Sequence, residues 1–296
     1  MRMEAKLSPR AGVLLLLCTA SLLASNHLCA RLAFNHGASV ATGVSVRATF
    51  TALVLFALMR AQRVPLAIPR ELRGMAVLAA LLLAAQSYCL YSAVAVIPPA
   101  LALLVFQTSP MLYVLLSWAL GKEAPPWRAL AAMPLALIGL ALALNLRPAH
   151  FEADWAAVRT GVAWAFASGI SMAIVYYLNA NALKPVDGRL RTFTMAAITS
   201  VLVIVGAGAT GAQSLPSGAA GWAGLTLLTL FYCVAIISLF YLVPRVSTTT
   251  TVALNFEPIA LLLLSWIFLD LTVTPVQTLG ALITVSAITW LGMTRK

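Results

Sequence analysis

The sequence has little charge, few cysteines and none of the common motifs for phosphate or zinc. Charged residues make up 9% of its 296 residues, whereas a soluble domain carries about 25%. It contains no GxxxxGK[ST] segment to hold nucleotide phosphates and no HExxH pair. A chain with so little charge cannot cover a water-facing surface, although it can face lipid. The composition therefore excludes an ordinary soluble enzyme, and nothing in it implies a nucleotide.

The four cysteines form no CxxC pair and all lie inside apolar segments. They are Cys18, Cys29, Cys89 and Cys233. Free cysteine behaves as a small buried apolar residue. We therefore expect these side chains to pack in the interior, without a metal or a disulfide, and we expect no cofactor.

Long apolar runs dominate what remains, since 62% of the chain is hydrophobic and the mean hydropathy is +0.97. About 20 consecutive apolar residues cross a bilayer as a helix, and unpaired strand edges are not tolerated in lipid. The sequence predicts an all-α membrane protein with ten transmembrane helices. The predicted spans are 12–34, 40–58, 74–97, 98–120, 127–146, 160–183, 190–213, 220–243, 246–269 and 274–293.

The Lys and Arg residues set the orientation of these spans. If the N-terminus is cytoplasmic, most of the 19 fall in inner segments, and only Arg147 and Arg159 fall in outer ones. Because cytoplasmic loops carry the excess of Lys and Arg, we expect both termini in the cytoplasm. The net charge of +11 then contacts anionic lipid headgroups and does not indicate nucleic acid. The first span resembles a secretory signal, but its cleavage would leave nine spans and break the repeat described next.

The second half of the chain partly repeats the first. Gln107-Thr108-Ser109-Pro110 followed by Leu115-Leu116-Ser117-Trp118 aligns with Asn255-Phe256-Glu257-Pro258 followed by Leu263-Leu264-Ser265-Trp266, at an offset of 148 residues. Residues 1–148 and 149–296 would each hold five spans. Five is an odd number, so the second repeat enters the membrane from the other side. Inverted repeats are typical of secondary transporters, which bind substrate near the midplane at the repeat interface.

Pro110 and Pro258 are predicted to interrupt the fourth and ninth spans. Each removes one backbone donor and frees the carbonyl four residues earlier, at Phe106 and Leu254. Such backbone must be buried in protein or line a wet cavity. A gating role and a simple packing kink both remain open for these prolines.

Glu257 is the strongest candidate for function, because it lies in the middle of an apolar run. A carboxyl at this depth needs a partner or a wet cavity. It either binds a substrate ammonium or a proton, or it is a neutral carboxyl that satisfies the backbone beside Pro258. Arg47 could pair with Glu257, face a substrate carboxylate or hold helices together, and we expect structural pairing. His27 is expected to be a hydrogen-bonded packing residue, with lining of the cavity as the alternative.

Aromatic side chains with a few hydroxyls recur on the faces of the central spans. Such a lining suits a small substrate with an apolar or aromatic side chain, although Ser and Thr also join membrane helices. With Glu257, the predicted substrate-binding residues are Tyr88, Tyr91, Gln107, Trp164, Ser168, Met172, Tyr232, Ser238, Thr251 and Asn255.

This arrangement resembles the drug/metabolite transporter superfamily, in particular its EamA-type members. The resemblance rests on Pro110, Gly121-Lys122-Glu123 and Gly139 in the first half, on Glu257-Pro258, Asp270 and Gly280 in the second, and on Arg47-Ala48-Thr49-Phe50 in the second span. Asp270 stands where glutamate is commoner. The resemblance implies an inner-membrane exporter with ten helices in two inverted five-helix repeats, and it is strongest to bacterial aromatic amino acid exporters.

We therefore expect a monomeric inner-membrane exporter of amino acids or related small metabolites that works by alternating access, with proton coupling through Glu257 as one possible driving force. Export of drug-like cations or other metabolites is the alternative. A membrane-embedded enzyme is less favoured, because the spans hold no pair of carboxylates and no metal-ligand set. A channel usually has an axis along the membrane normal, which inverted halves do not provide.

Overall fold

The computed structural model describes residues 7–121, 127–143, 155–242, 245–246, 252–269 and 274–293. The predictions for Thr251 and Asp270 fall outside these ranges. Within them the chain is helical. The helices are α1 (Pro9–Asn35), α2 (Val40–Ala61), α3 (Arg73–Val96), α4 (Pro99–Phe106), α5 (Ser109–Ala119), α6 (Trp127–Ala143), α7 (Trp155–Ala180), α8 (Gly188–Thr210), α9 (Gly218–Leu242), α10 (Glu257–Leu269) and α11 (Pro275–Met293), with 3₁₀ turns at Arg70–Leu72 and Val252–Phe256.

Seven helical segments of the described chain are long and apolar enough to cross a membrane. They are Arg10–Asn35, Val40–Ala61, Arg70–Val96, Pro99–Ala119, Trp155–Ala180, Gly188–Thr210 and Gly218–Leu242. Shorter apolar helices lie where the fifth, ninth and tenth spans are predicted, at Ala131–Ala143, Glu257–Phe268 and Pro275–Ala287. The chain is therefore a multi-pass, all-helical membrane protein.

The helices pack in pairs that link the two halves of the chain. α1 packs on α9, α3 on α7, α2 on α8, and α6 on α11. Suppose that α1, α2, α3 and α6 correspond to α7, α8, α9 and α11, as the predicted repeat implies. Exchanging corresponding helices then turns the α1–α9 pair into α7–α3, and it maps the α2–α8 and α6–α11 pairs onto themselves.

Loop contacts show which helix ends lie together. The N–H of Leu7 donates to the carbonyl of Arg245 (3.0 Å), and Gln62 contacts both Arg189 and Tyr241. We call this end of the bundle, marked by Leu7, Gln62, Asp187 and Arg245, the basic face.

At the other end, the α1–α2 loop (36–39) is hydrogen-bonded to the α8–α9 loop (214–217); this is the opposite face. Gly37 turns the chain there with a φ of +90°, a conformation in which glycine carries little strain. α1 therefore starts at the basic face, and α7 ends there.

Small residues allow the closest helix crossings. A Cβ on Gly224 of α9 would lie 2.7 Å from the backbone nitrogen of Ala33 on α1. At the α6–α11 crossing, a Cβ on Gly139 would lie 2.6 Å from the nitrogen of Thr284, and one on Gly280 would overlap the backbone of Ala143. Membrane helices attract one another through such backbone approach, because lipid provides no hydrophobic drive between them.

Candidate functional site

Glu257 and His27 form an ion-pair contact inside the bundle. His27 Nε2 lies 3.4 Å from Glu257 Oε1. Glu257 begins α10, immediately after the 3₁₀ turn, and His27 projects from the last third of α1. Glu257 is also the first residue of the shorter apolar helix Glu257–Phe268. Its ion-pair contact is with His27, whereas Arg47 has other partners.

A hydrogen bond joins Asn26 of α1 to Tyr91 of α3. The Asn26 amide and the Tyr91 hydroxyl lie 2.6 Å apart, with the amide nitrogen best placed to donate also to the Leu228 carbonyl at 3.1 Å. Tyr91 is fully buried, and its ring meets that of His27 edge-on with centroids 6.0 Å apart. Because a buried hydroxyl needs a partner, this bond fixes the Tyr91 ring between His27 and Arg47.

Arg47 lies between two tyrosine rings. Its guanidinium carbon is 4.6 Å from the centroid of Tyr91 and 3.9 Å from that of Tyr232, distances at which the ring faces attract a cation. Its Nη2 donates to Ser87 Oγ (3.0 Å), and only 6% of the residue is exposed. α2, α3 and α9 are thus joined at a single cation.

The contacts continue from Ser87 to α7. The Ser87 hydroxyl donates to Gln86 Oε1 (3.2 Å), the Gln86 amide donates to Ser168 Oγ (3.2 Å), and Ser168 Oγ donates to the Gln86 carbonyl (3.0 Å). We call the connected set Asn26, His27, Arg47, Gln86, Ser87, Tyr91, Ser168, Tyr232 and Glu257 the polar cluster. It crosses six helices in the interior of an apolar bundle.

Two helix breaks lie at the positions of the predicted prolines. α4 ends at Phe106 and α5 begins at Ser109, so Pro110 is the second residue of α5; in the same way Pro258 is the second residue of α10. Proline fits the first turn of a helix, where its missing N–H would have no intrahelical acceptor.

Gly169 of α7 packs directly on the first break, because a Cβ there would be 3.2 Å from Thr108 Oγ1 and 3.6 Å from the Phe106 carbonyl oxygen. That carbonyl therefore faces protein. Gln107 caps α4 and is half-buried. Asn255 lies in the 3₁₀ turn; its side chain is outside the described part of the chain.

The remaining predicted residues lie away from the polar cluster's contacts. Tyr88 is 38% and Trp164 39% exposed. Met172 packs with the apolar core near the basic face, and Ser238 is half-buried. Trp164, Ser168 and Met172 lie on one face of α7 but have different surroundings, because a helix inside a bundle contacts several neighbouring helices. Cys29 and Cys233 are buried, Cys89 is half-buried and Cys18 is exposed; all four are free thiols.

The larger of two cavities is not lined by any of the predicted substrate-binding residues. A cavity of about 280 Å³ opens near the basic face between α2, α8 and α9, lined by apolar side chains that include Leu55, Met59 and Phe240, with Gln62, Asp187, Arg189 and Tyr241 at its rim. A second, of about 20 Å³, adjoins Arg47 and Tyr232. No three His, Cys, Asp or Glu side chains in the described ranges lie close enough together to hold a metal.

The rim of the larger cavity is held by charge-assisted hydrogen bonds. Arg189 donates to both carboxylate oxygens of Asp187, at 3.1 Å from Nε and 2.9 Å from Nη2. These bonds hold the pKa of Asp187 below its usual value. Arg189 also donates to Gln62, which donates in turn to the Tyr241 hydroxyl (2.6 Å).

Comparison with known proteins assigns part of this architecture to a family. Residues 10–145 match the EamA-like transporter family. This EamA-like segment holds α1 to α6, and so supplies six members of the polar cluster, from α1, α2 and α3. A comparison with curated proteins finds no match.

Among solved structures, 16 chains match. One, described only as a crystal structure of a protein, has a TM-score of 0.68 at 19% identity, and the match covers 96% of each chain. At that identity the likeness shows the fold alone. It extends past the EamA-like segment to nearly the whole chain, so the fold of both halves is one already seen in a crystal.

Ser87 and Thr199 are of functional interest and were absent from the predicted site. Ser87 accepts from Arg47, and its signal was its position four residues before Tyr91, on the same face of α3. Thr199 of α8 lines the small cavity beside Arg47. Its hydroxyl is buried without a hydrogen-bond partner among the described residues, and a lone threonine in an apolar span gives no sequence signal.

Proposed function

We propose that this protein is a secondary transporter of the bacterial inner membrane that exports neutral or aromatic amino acids, or related small metabolites, by alternating access. The observation that carries the proposal is the polar cluster, which brings a carboxyl, an imidazole and a guanidinium into the interior of a helical bundle whose first half matches a family of transporters. Ionisable groups inside a membrane protein mark substrate or proton pathways by default.

The chemistry of the polar cluster suits an amino acid. Glu257 and Arg47 have opposite charges but are not paired with each other, because Glu257 contacts His27 and Arg47 contacts Ser87. A zwitterion offers a complementary group to each. Asn255 and Glu257 would then meet the polar end of the substrate, and Tyr91 and Tyr232 provide aromatic surface for its side chain. Glu257, with His27 beside it, would also carry a coupled proton.

An inverted repeat accounts for the packing of the helices. The exchange of halves preserves the major helix pairs, and α1 starts at the face where α7 ends. The two helix breaks fall at equivalent places in the two halves. We infer two five-helix repeats, 1–148 and 149–296, that rock against each other around the polar cluster. The basic face is cytoplasmic on this proposal, with both termini there, and the monomer is the working unit.

Export of drug-like cations is the second candidate, favoured by the contact between Glu257 and an imidazole, since a carboxyl in an aromatic setting also suits an organic cation. An enzyme is not favoured, because members of the matching family are transporters and the polar cluster holds one carboxyl.

The test is uptake of a labelled amino acid panel into proteoliposomes that contain the purified protein, with and without a pH gradient, and with empty liposomes as the control. Saturable uptake of phenylalanine or another neutral amino acid, abolished by excess unlabelled substrate, would support the proposal. Uptake of organic cations without amino acids would move the function to the second candidate. Absence of any amino acid uptake, in preparations that pass a folding check, would contradict it.

A further inference from the structure

Arg47 is a buried cation with no anion beside it. No carboxylate within the described ranges pairs with it, and the nearest acidic group of the polar cluster, Glu257, contacts His27. Arginine side chains keep their positive charge in proteins, so burial does not remove it. The Tyr91 and Tyr232 rings stabilise the guanidinium but do not neutralise it. A buried charge without a partner is costly, so this site is complete only when an anion is present.

Several hydrogen-bond donors without a partner lie on residues around Arg47. Arg47 Nε and the hydroxyls of Thr51 and Thr199 are all buried without a hydrogen-bond partner among the residues described. All three residues line the cavity of about 20 Å³. Buried polar groups are nearly always satisfied in native proteins. The residues that carry these three unsatisfied donors all line one small space, with room for about one acceptor atom, and a carboxylate oxygen is an acceptor suited to a guanidinium.

A larger apolar cavity lies on the same face of α2, nearer the basic face. Along α2, Arg47 and Thr51 are followed at one-turn intervals by Leu55 and Met59, which line the cavity of about 280 Å³. Ile237 and Phe240 of α9 form the other wall. Residues at this spacing share one helix face. A ligand with its carboxylate at Arg47 would thus have apolar surface for its remaining atoms one to two turns away.

We propose that Arg47, Thr51 and Thr199 form an anion subsite that binds the carboxylate of the transported substrate, whose apolar part extends along α2 toward the basic face. The inference rests on the proposed transport function and narrows the substrate class to small carboxylates with an apolar or aromatic group. The carboxylate is the recognised feature, and an ammonium group is not required at this subsite.

The experiment measures competition by unlabelled compounds against labelled phenylalanine bound to the full-length protein in nanodiscs, or against labelled 3-phenylpropionate if phenylalanine does not bind. The compounds are phenylalanine, 3-phenylpropionate, phenylalaninamide, phenethylamine and sodium chloride. We expect the two carboxylates to compete, and the amide and the amine to be at least about tenfold weaker, because each leaves the guanidinium without an anion. Chloride should compete only at far higher concentration.

Three variants assign the effect to the subsite. Thr51→Val and Thr199→Val remove one hydroxyl each at nearly constant volume and should weaken carboxylate binding several-fold. Arg47→Gln should abolish the preference for carboxylate over amide, and Arg47→Lys, which retains the charge, should keep part of it. Thr194→Val is the matched control on α8, because the Thr194 hydroxyl already donates to the Leu190 carbonyl (2.8 Å).

Other outcomes separate this inference from the proposed function. If 3-phenylpropionate binds through Arg47 while no amino acid is transported, the subsite stands and amino acid export fails. If phenylalanine and phenethylamine are transported equally well, transport stands and the subsite is overturned. Chloride that competes at the same concentration as the carboxylates would also overturn it, since the site would then hold any anion. Wild-type binding by both threonine variants would have the same consequence.

Discussion

At the scale of single residues, this protein places several ionisable groups in apolar surroundings, where a charge is costly unless it has a partner. Glu257 and His27 are 3.4 Å apart, and Arg47 is bracketed by two rings. A charged side chain inside a membrane costs several kcal/mol unless it is paired or solvated. Such groups are retained where they hold helices together or bind something. The polar cluster joins six helices, and we propose that it also binds substrate.

Replacement of Glu257 by glutamine tests its role as a proton carrier. Glutamine keeps the shape and a carbonyl acceptor for His27 but cannot bind a proton at physiological pH. We expect Glu257→Gln to lose the stimulation of uptake by a pH gradient, while exchange of labelled for unlabelled substrate continues. Both are measured in proteoliposomes. Stimulation at the wild-type level would exclude Glu257 as the carrier.

Ser168 tests the structural side of the polar cluster. Its hydroxyl accepts from the Gln86 amide and donates to the Gln86 carbonyl. Ser168→Ala removes both bonds and leaves the Gln86 amide without this acceptor, so we expect a loss of about 0.5–2 kcal/mol in stability, measured as a lower thermal midpoint in detergent. Ser171→Ala is the control, since the Ser171 hydroxyl bonds only to Ala167 of its own helix. Equal midpoints for the two variants would contradict the role of Ser168.

At the scale of helices, the broken elements and the glycine crossings determine the architecture. α4 and α5 meet at a break that packs on Gly169, and the 3₁₀ turn before α10 forms a second break beside Pro258. The free backbone groups at a break are stable only against protein or water. The breaks therefore have to lie inside the bundle, next to the polar cluster.

Gly280 gives the clearest prediction about packing. A Cβ there would overlap the backbone of Ala143, and backbone cannot move aside as a flexible side chain can. We expect Gly280→Ala to cost about 1–3 kcal/mol or more and to lower the thermal midpoint. In Gly206→Ala the new methyl meets nothing within 4 Å, so that variant should be unchanged or slightly more stable because alanine favours a helix. The reverse order would show that α6 and α11 do not cross at this point.

At the scale of the whole molecule, the two ends of the bundle differ in how they are closed. At the opposite face, Ser39, Ser214, Ser217 and their neighbours form a dense set of hydrogen bonds, several to the backbone. At the basic face, the loops after α2 and α7 meet through Gln62 and Arg189, above the cavity of about 280 Å³.

These two contacts are equivalent under the proposed repeat, because the α1–α2 and α8–α9 loops correspond to the α7–α8 and α2–α3 loops. Alternating access would open them in turn. In a variant without the four native cysteines, we expect thiol cross-links between Ser39→Cys and Ser214→Cys, or between Gln62→Cys and Arg189→Cys, each to stop transport and a reductant to restore it. Either single cysteine alone is the control. Full transport by a cross-linked protein would rule out movement at that contact.

The contact at the basic face is also expected to be insensitive to pH near neutrality. Arg189 holds the pKa of Asp187 below its usual value. A lowered pKa means that the bridge contributes fully at neutral pH and is lost only as the pH falls through that value. A pH dependence of transport near neutrality should therefore survive Asp187→Asn, as measured by uptake across a pH series.

Much of the fold and part of the candidate site could be predicted from the sequence. Composition alone determined that the chain is an all-helical membrane protein, because apolar runs of about 20 residues have no other stable form in lipid. The matching segments around Pro110 and Pro258 pointed to both helix breaks, since proline inside a helix removes one of its hydrogen bonds. Glu257, Arg47 and His27 were predicted to be important because an ionisable side chain in an apolar run needs a partner or water.

Only the tertiary structure decided how these residues combine. It placed His27 beside Glu257 and put Arg47 between Tyr91 and Tyr232, because α1, α2, α3 and α9 meet at angles and depths that no single helix encodes. It separated Tyr88 from Tyr91 and Trp164 from Ser168, since neighbours on one helical face can turn to different partners. It also located the cavities between α2, α8 and α9. Contacts between distant segments depend on how whole helix surfaces pack together. The periodicity of the sequence shows the face of one helix, but it does not show which helix that face contacts.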